Sequence, residues 1–311
     1  MLLATDLTLQ VSDKAVFPVW HVNLQLRERE RLAVVGESGG GKTSLAWALM
    51  GTPLPGQTVV SGNVEFFGVN LLALTAEERA RLYYRQIALV PQNAQSVFHP
   101  TRRLWKSAGE VMAKGRPGRL SHEQVIEGIA PLSAALDLPT ALWDHFPHQL
   151  SGGQKQRMNL LLALINDPRV VVLDEPSSAL DELTRNRLLR FLDDWASAHA
   201  VSMAVFTHDI GMASSWANRI LVLYRGEVVE ELPKGRFTDP CHPYTQGLIA
   251  ATVRLGDAPL SRPGIPGYAV PRSAAVEGCC FFERCPKARS RCRQGPPELQ
   301  PKEDGKVRCF L

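Results

Sequence analysis

Apolar and polar positions alternate from Leu2 to Gln10 and again from Val19 to Leu26, with a Ser12-Asp13-Lys14 turn after the first run. A two-residue period marks strands buried on one face, so these two read as an antiparallel β-layer. The pattern then changes to unbroken apolar runs: Leu32-Ala33-Val34-Val35, Val170-Val171-Val172-Leu173 and Met203-Ala204-Val205-Phe206. Short continuous runs belong to strands covered on both faces, as in a parallel sheet. Val60 to Phe66 and Ile87 to Gln92 read as further strands, the latter ending at Gln92. Helical stretches are expected over Ser44 to Leu49, Thr75 to Arg85 and Met158 to Ile165. Thr75 with Glu78 three residues on forms a capping box. From Asn93 to about Ile165 the chain carries helices joined by Gly/Pro loops such as Lys114 to Arg119, an inserted helical subdomain.

Composition narrows the class. A chain of 311 residues with 45% hydrophobic content accommodates one large α/β domain and an appendage. The apolar stretch around Leu160 to Ile165 is core-sized, far short of the roughly 18–20 residues of a membrane span. The opening residues Met1 to Asp6 carry no basic region and no small-residue cleavage site, so a secretory signal is not expected. The net charge of +4 sits in the tail: from Arg272 onward nine Lys/Arg face five Asp/Glu, and the body is neutral. That balance argues against a nucleic-acid-coating body, and no nucleic-acid partner is expected.

The most specific chemistry lies at Gly36-Glu37-Ser38-Gly39-Gly40-Gly41-Lys42-Thr43, followed by Ser44, between an apolar strand and a helix start. Glycines at this density let successive backbone N–H groups turn inward as an anion nest, and the helix N-terminus adds partial positive charge. Lys42 is placed for the β- and γ-phosphates of a nucleoside triphosphate, and the Thr43 hydroxyl for its Mg²⁺. Phe17 and Trp20 lie where an adenine platform is plausible, core packing being the alternative. Gln92 at a strand's carboxyl end is expected to face a ligand crevice. Ser151-Gly152-Gly153-Gln154 opens another glycine-bearing helix. Asp174 and Glu175 end a buried strand, where acids need a partner such as a magnesium–nucleotide complex, and His208 ends another.

Taken in order, these motifs closely resemble the ATP-binding subunits of ABC transporters over about residues 1–250. Gly36 to Thr43 resembles the Walker A loop and Gln92 the Q-loop. Leu150 to Gln154 resembles the signature and Leu173-Asp174-Glu175 the end of Walker B. Ser178-Ala179-Leu180-Asp181 resembles the D-loop and His208 the switch histidine. The resemblance implies an α/β P-loop NTPase core of the ABC ATPase kind, with an antiparallel β-layer and a helical subdomain at about 93–165. A small C-terminal cysteine-containing extension, 251–311, would follow. It implies that ATP is held by Gly36 to Ser44, with Mg²⁺ on Thr43, Gln92 and Asp174. Glu175 would polarise the attacking water and His208 would steady the γ-phosphate. Ser151, Gly152, Gly153 and Gln154 would touch nucleotide bound by a second ATPase subunit, either a second copy or a homologous chain.

A narrower likeness starts at Gly226 to Glu231 and Asp239-Pro240-Cys241-His242-Pro243-Tyr244-Thr245, a segment similar to oligopeptide, dipeptide and nickel importers. It implies two permease subunits, an extracytoplasmic solute-binding protein and a peripheral place on the cytoplasmic face of the membrane. The loop after Gln92 departs from that subfamily, reading Asn93-Ala94 and Val97-Phe98-His99-Pro100 where an Asp-Pro pair and a Ser-Leu-Asn-Pro run are usual. A soluble ABC ATPase of a non-transport complex is the alternative, and an exporter subunit a third.

Four cysteines, Cys279, Cys285, Cys292 and Cys309, cluster in the tail, with Cys280 beside the first and Cys241 apart. Clustered thiols in a reducing compartment suit zinc or a [4Fe–4S] cluster, which spacing alone does not separate, and free thiols are the third option. The subfamily resemblance favours the iron–sulfur cluster. Arg284, Lys287, Arg289, Arg291 and Arg293 are expected to offset its negative charge.

Overall fold

The computed structural model describes residues 1–12, 14–93, 97–114, 118–178, 180–251, 265–268, 272–273 and 277–311. Asp13 of the expected turn, Ala94, residues 115–117, Ala179 of the D-loop motif and the stretch 252–264 after the expected domain boundary lie outside the described residues. The chain divides into two compact units, one of Met1–Leu26, Arg31–Leu72 and Val205–Leu311, the other of Arg27–Glu30 and Ala73–Ala204.

The first unit contains the alternating strands. Leu2–Val11 runs antiparallel between Val19–Leu26 and Gln57–Phe66, with Leu2 opposite both Leu26 and Phe66. The inward set, Leu2, Ala4, Leu7, Leu9, Val22, Leu24, Leu26 and Val64, is buried, as a period of two requires. A second sheet places the apolar strand Arg31–Val35 parallel to Arg219–Tyr224, Leu32 facing Arg219. Arg219–Tyr224 pairs antiparallel with Glu227–Pro233, and Gly305–Val307 then Gln300–Lys302 continue the sheet. The cysteine-bearing tail is thereby hydrogen-bonded into the sheet that carries the phosphate-loop strand. Val205–Thr207, the end of strand Ser202–Thr207, lies on the other side of Arg31–Val35.

The second unit holds parallel strands and helices. Ile87–Val90 pairs with Val170–Asp174 in the register Ile87 to Val170 through Val90 to Leu173, and the start of Ser202–Thr207 flanks the other edge. Helices Ala76–Leu82, Leu104–Met112, His122–Ala135, Gly152–Leu164 and Glu182–His199 accompany them. Capping boxes open three of these, at Thr75, Ser121 and Ser151. Trp143 is wholly buried among them, its indole N–H donating to Ser133 Oγ at 3.0 Å while Ser133 donates to the Leu138 carbonyl at 2.7 Å.

Several boundaries differ from those read off the pattern. The strand expected to reach Gln92 stops at Val90, because Pro91 has no N–H for the ladder. The helix after the glycine loop begins at Lys42, and that of the signature at Gly152, where Ser151 caps it. The helix from Thr75 ends at Leu82, since Tyr83 turns to extended backbone.

Candidate functional site

The phosphate loop belongs to the first unit. Gly41 caps the helix Lys42–Leu49 with φ 99°, a left-handed conformation costly for a residue with a side chain. Space forbids one as well: a Cβ there would fall 1.9 Å from the Pro18 carbonyl oxygen, and one at Gly36 would fall 2.2 Å from that of Leu223. The loop is pressed against neighbouring backbone on those sides. At Gly39 a Cβ would meet nothing within 4 Å. Lys42 is buried, and its ammonium donates to the carbonyls of Gly36 at 2.8 Å and Glu37 at 3.0 Å, closing the loop into a ring. The Gly40 N–H donates to the Glu37 carbonyl at 3.1 Å. Thr43 is half-buried, Ser38 and Gly39 are exposed, and Ser44 accepts a hydrogen bond from Gln57 at 2.9 Å. Glycine backbone, a buried ammonium and a helix start form a donor set that fits a polyphosphate. Also in this unit, His208 is exposed just after strand Ser202–Thr207, and Asp209 caps the helix Ile210–Trp216 by accepting from Met212 N–H at 2.9 Å. Phe17 pairs with Arg272 in a short strand, its ring edge-on to Trp20 at 4.6 Å, while the Arg272 guanidinium lies 4.7 Å over Trp20.

The second unit carries the other motifs. Gln92 is exposed, two residues past its strand. Asp174 is wholly buried at the end of Val170–Asp174. Glu175, also buried, has φ 50°, a left-handed conformation unusual for a residue with a side chain, such as collects at functional sites. Ser151 Oγ accepts from Gln154 N–H at 3.2 Å, and the Gln154 side chain accepts from Ser151 N–H at 2.9 Å. A Cβ at Gly152 would meet nothing within 4 Å, so packing within the chain does not demand glycine there. Asp181 caps the helix Glu182–His199, and the backbone N–H of Thr184 holds its carboxyl below the usual range.

In the first unit's tail, Cys279, Cys285, Cys292 and Cys309 line one small pocket with His242, Phe281, Phe282 and Phe310. A hydrogen bond from Cys280 holds the Cys279 thiol below the usual thiol range, while burial pushes Cys285 and Cys309 up. Among the described residues no three His, Cys, Asp or Glu side chains are gathered closely enough to hold a metal ion as they stand. The four thiols nonetheless line one aromatic-walled pocket.

The expectation that Arg284 offsets charge at the cysteines is corrected: it forms an ion pair with Glu37 of the phosphate loop. Arg291 and Arg293 stack over Phe310 at 4.4 Å and Phe282 at 4.7 Å, and Lys287 donates to Gln246 at 2.9 Å. The pattern also missed Tyr244, whose hydroxyl accepts from Glu37 N–H at 2.9 Å. No local signal could have found either, since both partners lie more than 200 residues from Glu37.

A strand, a glycine ring closed by a buried lysine and a helix start define a P-loop nucleotide-binding protein of α/β architecture. The chain belongs to the ABC transporter family, which matches residues 19–178, and is an ATP-binding ATPase of that family. Residues 229–292 match the oligopeptide/dipeptide transporter C-terminal region. It is 33% identical over 293 residues to a dipeptide transport ATP-binding protein, DppD, of Caldanaerobacter subterraneus, covering 93% of this chain and 90% of that one. It is 32% identical over 308 residues to the oligopeptide transport ATP-binding protein OppD of Salmonella typhimurium, covering 97% and 90%. Among solved structures, the ATP-binding cassette MJ0796, a dimer in a post-hydrolysis state bound to ADP and Pi, superposes with a TM-score of 0.68. It shares 25% identity, over 75% of this chain and 98% of that one.

Proposed function

We propose that this chain is the ATP-hydrolysing subunit of an importer for peptides or a related small solute such as a nickel complex. The observation that carries the reading is the joining, in one chain, of the ABC ATPase match with the oligopeptide/dipeptide C-terminal region. Among the described residues no helix is long and apolar enough to cross a membrane. On the strength of the two family matches, the chain would work at the cytoplasmic face on two permease subunits, with a second ATPase subunit and a solute-binding protein. The domain reading is an ATPase over 1–250 and an extension over 251–311.

The roles follow the motifs. Lys42 and the backbone N–H groups of Gly36 to Ser44 hold the phosphates. Thr43, Asp174 and Gln92 are the residues for Mg²⁺, which when bound neutralises developing phosphate charge. Glu175 accepts a proton from the attacking water, and His208 contacts the γ-phosphate. Ser151, Gly152, Gly153 and Gln154 face the partner's nucleotide, and the open space at Gly152 supports this. The four tail cysteines are the ligands of a [4Fe–4S] cluster with a structural role. Copurification from detergent extracts tests the transport reading: two membrane-spanning permeases are expected with the chain, and recovery only with soluble proteins would replace it by a non-transport ATPase.

A further inference from the structure

Arg284 lies 247 residues from Glu37, yet its guanidinium closes a two-pronged pair on that carboxylate at 2.6 and 2.9 Å. Its other N–H groups donate to the carbonyls of Pro266 and Gly267 and to the Tyr224 hydroxyl, so the fork is held on every side. The Arg284 side chain is only 9% exposed. Exposed ion pairs between mobile side chains contribute little, but a buried, bidentate one fixes geometry.

The same glutamate is gripped through its backbone. Its N–H reaches Tyr244, and its carbonyl accepts from Lys42 and Gly40. Tyr244 packs on Tyr224 at 4.4 Å and on Phe281 at 5.4 Å, and Phe281 also lines the cysteine pocket. Two arms therefore run from the cysteine segment to one residue of the phosphate loop: Arg284 to its side chain, and Phe281 through Tyr244 to its N–H.

We propose that Arg284 is a positioning residue for the phosphate loop, through which the folded cysteine segment sets the loop's affinity for a nucleoside triphosphate without touching it. This rests on the reading of Gly36 to Thr43 as the triphosphate site. Two effects combine. The pair orders the loop before the ligand arrives, removing an entropic cost from binding. It also neutralises a carboxylate that would otherwise repel the phosphates. The second effect leaves a distinctive mark: removing the Glu37 charge should compensate for loss of Arg284.

The test is equilibrium titration of the full chain with a fluorescent ATP analogue and Mg²⁺, with a thermal melt of each variant. The set is wild type, Arg284→Gln, Arg284→Lys, Glu37→Gln, Glu37→Gln with Arg284→Gln, and Lys42→Ala. Arg284→Gln should weaken binding roughly tenfold, Arg284→Lys less, and the double variant should regain most of the loss. Lys42→Ala should bind far more weakly than any of them. Wild-type affinity in Arg284→Gln beside a weakened Lys42→Ala would overturn the proposal alone, as would a double variant showing the summed losses. Wild-type affinity in Lys42→Ala would remove the loop reading and the proposal with it. If Arg284→Gln does not fold, Arg284→Lys decides: weaker binding relieved by Glu37→Gln supports the proposal, and unchanged binding overturns it.

Discussion

Gly41 shows how one residue can be dictated twice, by conformation and by space. Its φ of 99° and the 1.9 Å approach of the Pro18 carbonyl to any added Cβ both exclude a side chain. Gly41→Ala is expected to displace the loop, lower stability by about 1–3 kcal/mol and abolish ATP binding, read by thermal melting and nucleotide titration. Glu175 is the converse case, a side chain kept at φ 50°. Glu175→Gln preserves size and backbone while removing the base. Turnover is expected to fall about 10²- to 10⁴-fold with ATP binding retained; hydrolysis at the wild-type rate would take the proton-accepting role from Glu175.

Among the elements, the helix His122–Ala135 of the second unit is closed by buried polar contacts as well as by apolar packing. Ser133 accepts from the buried Trp143 indole and donates to the carbonyl of Leu138, three residues past the end of its helix His122–Ala135. Ser133→Ala leaves both groups without that partner in a site closed to water. A loss of about 1–3 kcal/mol is expected, seen as a lower urea midpoint at unchanged slope. The strands tell a different story. Continuous apolar runs became the parallel pairs because both faces are covered, and alternating runs became the antiparallel layer because one face is not.

At the scale of the whole molecule, two consequences of the proposed function can be measured. With ATP and Mg²⁺, Glu175→Gln should elute as a dimer in size-exclusion chromatography, and Ser151→Arg should prevent it. Protein purified without oxygen should be brown and contain iron, and Cys292→Ser should lower the iron content; colourless wild-type protein with stoichiometric zinc would exclude the cluster.

Motif chemistry was legible because it is local. Gly36, Gly41, Lys42 and Thr43 fall within one loop and the helix start that follows it, and Ser151 with Gln154 closes a capping box within one helix start. Strand type was equally plain, since burial on one face or two writes its period into consecutive residues. Strand and helix ends were less so, because Pro91 and the caps at Ser151 and Gly41 override apolar pattern at the boundary.

The amino-acid sequence by itself determined the family, the phosphate loop and the two kinds of strand, all consequences of contacts within a few residues. The tertiary structure alone decided where the tail's charges go. Arg284 neighbours Cys285 in sequence, and composition places it with the cysteines. Only when Gly305–Val307 adds to the sheet of Arg31–Val35, and Phe281 packs on Tyr244, does its guanidinium meet Glu37. Pairing across more than two hundred residues depends on how sheet edges and aromatic faces meet, and neighbouring residues hold no record of it.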